Sequence, residues 1–300
     1  MPQIKSILCP VDFSEFSVYA YEYAQSLAWH YKAQLFLQHV LYSLKPFGFW
    51  DIYPDSYEEI CRKRRADVEQ QLQEFAKCHT RTEIRPQCFA QDGSVTDLIL
   101  SLAESQAVNL IVMGTHGLRG IDRLMLGSVT DRVLRRARCP VLAVRKPAHH
   151  VTSSVNDPEP VNLRKMLLCT DCSAHAHHAS EYAVSMAKEY GAELTLLHVL
   201  EDVPGLTDLQ TATEKVVKQL EESIAPKTRE ACIVNVMVRT GKPYQQIIQL
   251  ALEAQTDLVI MGVRGRGALD TAIFGPTTYR VIQLGSCPVL AVHIPVASLD

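Results

Sequence analysis

The sequence lacks the features that would assign a chain to a membrane, a secretory route or a nucleic acid. No apolar run approaches the ~18 residues that a spanning helix needs. Met1 to Pro10 carries one lysine and then reads as a strand. It has neither the long apolar stretch nor the small-residue cleavage site of a signal peptide, so a cytoplasmic location is expected. The formal net charge is only −3, which leaves no strong field of one sign, and neither nucleic acid nor anionic membrane is expected as a partner. Nine cysteines is an odd number, and they are scattered through apolar contexts. That pattern fits reduced thiols better than a disulfide framework. Also missing are the Gly-Lys-Ser/Thr of a Walker A loop, GxGxxG, GxSxG, HExxH and any paired-acid constellation. The common P-loop, dinucleotide, serine-hydrolase and zinc-protease chemistries are thereby set aside.

What the chain does have is length, apolar content and a repeat. Its 300 residues are 47% hydrophobic and 21% charged, enough for two ordinary globular domains, each with its own core. Residues 109–145 align without a gap on residues 257–293, an offset of 148, with 15 identities in 37 positions. Chance would give about two, so duplication is the economical explanation. Upstream, Asp12 and Ser14 match Asp171 and Ser173, and His39-Val40 matches His198-Val199, both at an offset of 159. Gly93 and Gly241 return to 148, so the second copy lacks 11 residues between its second strand and Gly241. The expected organisation is a first domain at 1–146, a linker at 147–162 and a second domain at 163–295. The linker contains Pro158, Pro160 and the pair Ser153-Ser154, and has neither helical nor strand periodicity.

Each copy alternates strand and helix patterns. In the first, strands are expected at 4–9, 35–40, 83–90, 110–113 and 141–144. Helices are expected after Ser14, which can cap, and at 56–78, 96–105 and 129–136. Alternation of this kind implies a parallel sheet with right-handed crossovers, and ligands in such folds sit beyond the carboxyl ends of the strands. Asp12, Val40 and a glycine loop fall at that edge.

The loop reads Gly114-x2-Gly117-x9-Gly127-Ser128. Gly114 and Gly117 let the backbone turn and approach a ligand without a Cβ in the way. Gly127 leads into a helix whose first free N–H groups suit a phosphate, and Ser128 can add a hydroxyl and an N–H or serve as an N-cap. On the pattern alone, a glycine-rich turn with no ligand is an equal reading.

The chain resembles a tandem universal stress protein. Val11-Asp12, the loop from Met113 to Val129 and the ending Cys139-Pro140-Val141-Leu142-Ala143-Val144 carry the match. The resemblance implies two Rossmann-like, doubly wound domains, each a five-stranded parallel sheet of order 3-2-1-4-5 with flanking helices and ATP at the switch point. It implies that Val11, Asp12 and Val40 line the adenine and ribose end, and that Met113, Gly114, His116 and Gly117 wrap the sugar and phosphates. Gly127, Ser128 and Val129 would hold the terminal phosphates. A Mg²⁺ or Mn²⁺ ion would come with the nucleotide. The resemblance also implies pairing of the two copies through their last strands within one chain, and leaves a homodimer open.

The second copy keeps the glycines but departs beside them. Its weaker set is Asp171, Val199, Met261, Gly262, Arg264, Gly265, Gly275 and Thr277, with Pro276 where the first copy has Ser128. Proline suits the start of a helix but removes one N–H and one hydroxyl from the phosphate position. The first copy is therefore expected to bind ATP, with the second binding weakly or acting as a structural partner.

Other clusters have blander explanations. Cys169-x2-Cys172 with His175, His177 and His178 has zinc-ligand chemistry, but its members sit at a strand end and on diverging helix faces, so no metal site is expected. Arg62-Lys63-Arg64-Arg65 reads as the solvated face of a helix, and His39 and His198 as buried structural residues. Phe47, Phe49, Trp50 and Tyr53 form an aromatic loop confined to the first copy. The expected function is ATP-responsive regulation in stress, through a protein partner that the sequence does not name, with at most slow ATP hydrolysis and no catalytic residues. A nucleotide-independent interaction or chaperone-like role is the alternative.

Overall fold

The computed structural model describes residues 3–42, 54–80, 83–117, 125–145, 161–201, 205–263 and 275–293. The first copy runs β1 (Ser6–Pro10), α1 (Glu15–Tyr31), β2 (Gln34–Tyr42), α2 (Pro54–His79), β3 (Gln87–Gly93), α3 (Val95–Ser105), β4 (Leu110–Gly114), α4 (Ser128–Arg136) and β5 (Val141–Val144). The second runs β6 (Lys165–Cys169), α5 (Ala174–Tyr190), β7 (Glu193–Leu200), α6 (Leu206–Ser223), α7 (Pro226–Ala231), β8 (Val234–Thr240), α8 (Pro243–Glu253), β9 (Leu258–Gly262), α9 (Pro276–Leu284) and β10 (Val289–Val292).

Two boundaries differ from expectation for physical reasons. The third strand starts at Gln87 rather than at residue 83, where this edge strand first comes alongside Phe36 of β2; its counterpart in the second copy starts at Val234, the position of Pro86. The single long helix α2 is answered in the second copy by two, α6 and α7, split at Ile224-Ala225 ahead of Pro226.

The strands form one ten-stranded sheet in the order β3-β2-β1-β4-β5-β10-β9-β6-β7-β8. Within each copy the pairs are parallel, in the order 3-2-1-4-5. The copies meet where β5 and β10 pair antiparallel, with Val289 opposite Ala143, Leu290 opposite Leu142 and Ala291 opposite Val141. Leu142 and Leu290 are themselves 148 residues apart, so a local twofold axis passes between them. Each copy thus presents the same edge to the other, as in an isologous dimer.

Backbone conformation repeats with the same offsets. The positive-φ residues Phe13 (63°) and Lys32 (52°) recur 159 positions on as Cys172 (59°) and Gly191 (60°). Gly93 (151°) and Ala107 (47°) recur 148 positions on as Gly241 (121°) and Gln255 (53°). These turns hold the strands in register. A left-handed residue other than glycine is costly enough that its recurrence marks a shared constraint.

Burial accounts for the rest. The central strands Leu110–Gly114 and Leu258–Gly262 are buried at four of five positions, as parallel strands covered on both faces should be. On one face Tyr21, Ala24 and Leu27 of α1, Leu72 of α2 and Ala179 and Ala183 of α5 share a continuous core with both halves of the sheet. On the other, Ile99, Val133, Ile247 and Val281 from α3, α4, α8 and α9 do the same. Each fully buried Leu, Ile or Val adds about 1.5–3 kcal/mol of apolar transfer, so the shared core fastens the copies together. No described helix is long and apolar enough to cross a membrane.

Candidate functional site

The site begins with Asp12, just past β1. Its Oδ1 accepts hydrogen bonds from the hydroxyls of Ser14 (2.6 Å) and Ser17 (2.5 Å) and from the Ser14 amide (3.1 Å). Ser14 in turn caps α1 by accepting from the Ser17 amide. One carboxylate oxygen is thus committed to the start of α1, which fixes where the other points. Oδ2 faces the glycine loop: a Cβ built on Gly117 would lie 2.4 Å from it, well inside contact distance.

The loop itself is drawn tight around the end of β4. At Gly114 a Cβ would meet the Phe16 carbonyl oxygen at 2.9 Å, so glycine lets the first turn of α1 lie against the strand end. The Gly127 amide donates to the Thr115 carbonyl (2.8 Å), and Thr130 Oγ1 donates to the Gly114 carbonyl (2.8 Å). These two bonds fold the start of α4 back onto residues 114–117. Gly127, not Ser128, is the N-cap; Ser128 is the first helical residue and is exposed. The first intrahelical bond runs from the Asp131 amide to the Gly127 carbonyl. The amides of Ser128, Val129 and Thr130 therefore have no acceptor within the helix, which is the donor arrangement that receives an anion at a helix start.

The other expected residues shape the surroundings. Val11, Val40 and Met113 are buried at or just past the strand ends, Val11 in the core on one face of the sheet and Met113 in the core on the other. The His116 side chain is turned inward: it is 7% exposed, its Nδ1 lies 2.9 Å from Thr115 Oγ1, and its ring packs 5.0 Å from that of Phe16. This residue can therefore offer a ligand only backbone. His39 stands behind Asp12. Its Nδ1 lies 2.8 Å from the Val11 carbonyl and its ring stacks on Phe13 at 4.4 Å. Burial holds its pKa below the ordinary value, with the Val11 hydrogen bond and the Asp12 charge acting in the opposite direction.

The second copy repeats the frame. Asp171 Oδ1 accepts from the Ser173 amide (3.0 Å), and His198 Nδ1 lies 2.8 Å from the Thr170 carbonyl. The Gly275 amide donates to the Val263 carbonyl (2.8 Å), and Thr278 Oγ1 to the Gly262 carbonyl (3.0 Å). Met261 is buried, Val199 and Thr277 are partly so, and Arg264 and Gly265 lie outside the described residues. Two differences stand out: Ala176 holds the position from which the Ser17 hydroxyl donates to Asp12, and the start of the last helix changes. Pro276 is the first residue of α9, so the first turn has one amide fewer to offer than that of α4. The aromatic loop containing Phe47, Phe49, Trp50 and Tyr53 also lies outside the described residues.

The side chain of His175, a member of the Cys169/Cys172 cluster, lies outside the described residues. Among the described residues no group of three or more His, Cys, Asp or Glu side chains could hold a metal. Lys63 of the basic run pairs with Glu59 one turn away, and Arg136 and Arg138 pair with Asp97 and Glu104 of α3. What sequence reasoning missed is Ser17, whose spacing of three residues after the expected cap Ser14 was the available signal.

Fold and site together define a duplicated, doubly wound α/β module with a glycine-hinged bend at a helix start. The chain belongs to the universal stress protein family, whose sequence profile matches residues 3–145 and again 162–293. A universal stress protein of Methanocaldococcus jannaschii is 32% identical over 150 residues, 48% of this chain and 83% of that protein. One from Thermus aquaticus is 30% identical over 135 residues, 43% of this chain and 98% of that protein. The crystal structure of a universal stress protein from Archaeoglobus fulgidus superposes with a TM-score of 0.63 at 24% identity, covering 99% of this chain and 98% of that one. This last likeness bears on the fold.

Proposed function

We propose that this protein is an ATP-responsive regulator in which the first copy holds the nucleotide and the second serves mainly as its structural partner. The observation that carries the reading is the convergence at one bend. Asp12 Oδ2 faces Gly117, and the bonds from Gly127 and Thr130 bring three acceptor-less amides to the same place. A triphosphate fits that donor set, since backbone amides at a helix start meet negative charge without a Cβ in the way. Buried Val11, Val40 and Met113, at or just past the strand ends, supply apolar surroundings beside it, suited to a base. A divalent cation, Mg²⁺ or Mn²⁺, would be held mostly by the phosphates.

Occupancy rather than turnover is the signal in this reading. The carboxylate at the bend already accepts two hydroxyls through Oδ1, which suits it to hold a ribose or a loop better than to activate water. The state with nucleotide bound would then be read by a protein partner. Calorimetric titration of the intact, nucleotide-stripped chain with ATP and Mg²⁺ tests this. A stoichiometry near one, lost in Gly117→Ala, is expected. No heat at millimolar ATP would leave a nucleotide-independent scaffold as the better description.

A further inference from the structure

The two copies differ most in the space between the sheet and the second helix layer. In the first copy that space is filled by three rings in mutual contact. Phe13 meets Phe75 at 5.7 Å between centroids, Phe75 meets Tyr21 at 5.6 Å, and the Tyr21 hydroxyl bonds Thr80 Oγ1 at 2.6 Å. The offsets of 159 on α1 and α5 and 148 on α2 and α6 carry Phe13 to Cys172, Tyr21 to Ser180 and Phe75 to Ser223. All three rings become small polar side chains. Their surroundings compensate only in part: His39 corresponds to His198, Leu37 to Leu196, Leu72 to Leu220 and Thr80 to Thr228, while Cys9, Val18 and Ala76 are answered by the larger Leu168, His177 and Ile224. Leu72 and Leu220 are both buried, at 0% and 2% exposure, which supports the alignment of these helices.

The space is not fully reclaimed. A cavity of about 120 Å³ remains, opening between α5 and α6. Leu168, Leu196 and Leu220 give it an apolar floor, and Cys172, Ser180 and Ser223 stand where the rings stood. Protein interiors pack densely, and a lost ring is ordinarily answered by larger neighbours or collapse. Three linked ring losses, only partly answered by Leu168, His177 and Ile224, leave a hole lined by hydroxyls and a thiol. We propose that the second copy carries a small-molecule site of its own, for a single aromatic ring bearing a hydroxyl, a phenol-class ligand. The ring would take the place left by Phe13, Tyr21 and Phe75. Its hydroxyl would donate to the oxygen of Ser180 or Ser223, whose own hydrogens go to the His177 and Leu220 carbonyls. The volume is close to that of the engineered apolar cavity of roughly 150 Å³ that takes up benzene, so one ring fits and a fused pair does not.

The test uses the full chain and 4-fluorophenol as the probe, followed by fluorine NMR. Saturable binding is expected. Refilling the hole with Cys172→Phe, Ser180→Tyr and Ser223→Phe should weaken it at least about tenfold while raising the melting temperature. Ser180→Tyr alone serves if the triple variant folds poorly, and should weaken binding in the same direction. Gly117→Ala, aimed at the first copy, should leave binding unchanged, which separates this site from the proposed nucleotide site. A readout without substitution is alkylation of Cys172 by N-ethylmaleimide, mapped by peptide mass spectrometry. Saturating phenol should slow it severalfold while leaving exposed Cys78 unaffected. A water-filled cleft only would give no saturable fluorine shift and no protection of Cys172. Binding that survives refilling would place the probe elsewhere; either result overturns the proposal.

Discussion

Arg145 and His293 stand 148 residues apart and perform the same task in opposite directions across the junction of the two copies. Arg145, just past β5, donates from Nη1 to the carbonyls of Gln283 and Gly285 (3.0 Å), where α9 of the second copy ends. His293, just past β10, meets the Leu134 carbonyl at 2.8 Å through Nε2, near the end of α4 in the first copy. Helix ends leave carbonyls without intrahelical donors, and each copy supplies a donor to the other's last helix. Arg145→Ala leaves two carbonyls uncapped in a partly buried place. A hydrogen bond from a charged donor contributes about 1.5–3 kcal/mol, so a total loss of roughly 2–4 kcal/mol is expected. Urea unfolding of the intact chain measures it. A change below about 0.5 kcal/mol, the usual size for an ordinary surface site, would mean the cap is not stabilising.

At the bend, Gly117 and Asp12 cannot be separated cheaply. Gly117→Ala would place its Cβ 2.4 Å from Asp12 Oδ2, and the carboxylate is held from the other side by Ser14 and Ser17. Either the loop shifts or those bonds break. The expected result is loss of at least about tenfold in ATP affinity, with a melting temperature only a few degrees lower because the contact lies at the sheet's open edge. An unchanged affinity would show that the loop geometry does not determine nucleotide binding.

The helix starts permit a reciprocal exchange. Ser128→Pro gives α4 the first residue of α9, removing an amide and a hydroxyl, while Pro276→Ser gives α9 the first residue of α4. Both positions are exposed and both helices tolerate either residue at their first position, so the fold should not be at stake. Two hydrogen bonds to a charged group, at about 1.5–3 kcal/mol each, change affinity by roughly a hundred- to ten-thousand-fold. Ser128→Pro should abolish measurable binding, and Pro276→Ser should raise the stoichiometry of the intact chain from one towards two. If the stoichiometry stays near two throughout, proline at this position is irrelevant to phosphate binding.

The duplication, the parallel strands and the glycine loops were legible because each is local: a continuous buried run, a spaced set of glycines, a repeat at fixed offset. The start of β3 is not legible because it depends on where this edge strand first comes alongside β2, at Phe36, and not on the apolar content of residues 83–90. Ser128 read as a potential cap when Gly127 holds that position, a distinction that depends on backbone angles rather than composition. The inward turn of His116 onto Phe16 and the cross-copy caps of Arg145 and His293 involve side chains meeting residues far away in sequence. The hole in the second copy is the furthest from view, since it needs three substitutions compared across two different offsets.

Thiol chemistry should follow burial. Burial pushes the thiols of Cys139 and Cys287 up to about 12 and those of Cys9 and Cys169 higher still. The thiolate is the reactive species, so these four should resist alkylation in the folded chain while exposed Cys78 reacts. Timed labelling with iodoacetamide, with and without urea, checks the order; rapid native labelling of Cys139 or Cys287 would contradict the packing at the ends of α4 and α9.

The last consequence concerns acid. His39 is held below the ordinary imidazole value by burial against Phe13, and its neutral form donates through Nδ1 to the Val11 carbonyl. In the unfolded chain the same imidazole titrates near its ordinary value of 6.5. Above that pH both states hold it neutral and it adds no pH dependence. Below it the unfolded chain binds a proton that the folded chain resists, so stability falls as pH drops, until the folded value is passed and the loss is complete. His39→Gln removes the titrating group while keeping a donor of similar reach. Measured from pH 8 down to pH 5, the gap between wild type and His39→Gln in unfolding free energy should stay constant above the unfolded imidazole value and then move steadily in favour of the variant. Curves that remain parallel across that range would mean that His39 is hydrated in the folded chain, and that the stacked contact behind Asp12 does not exclude water.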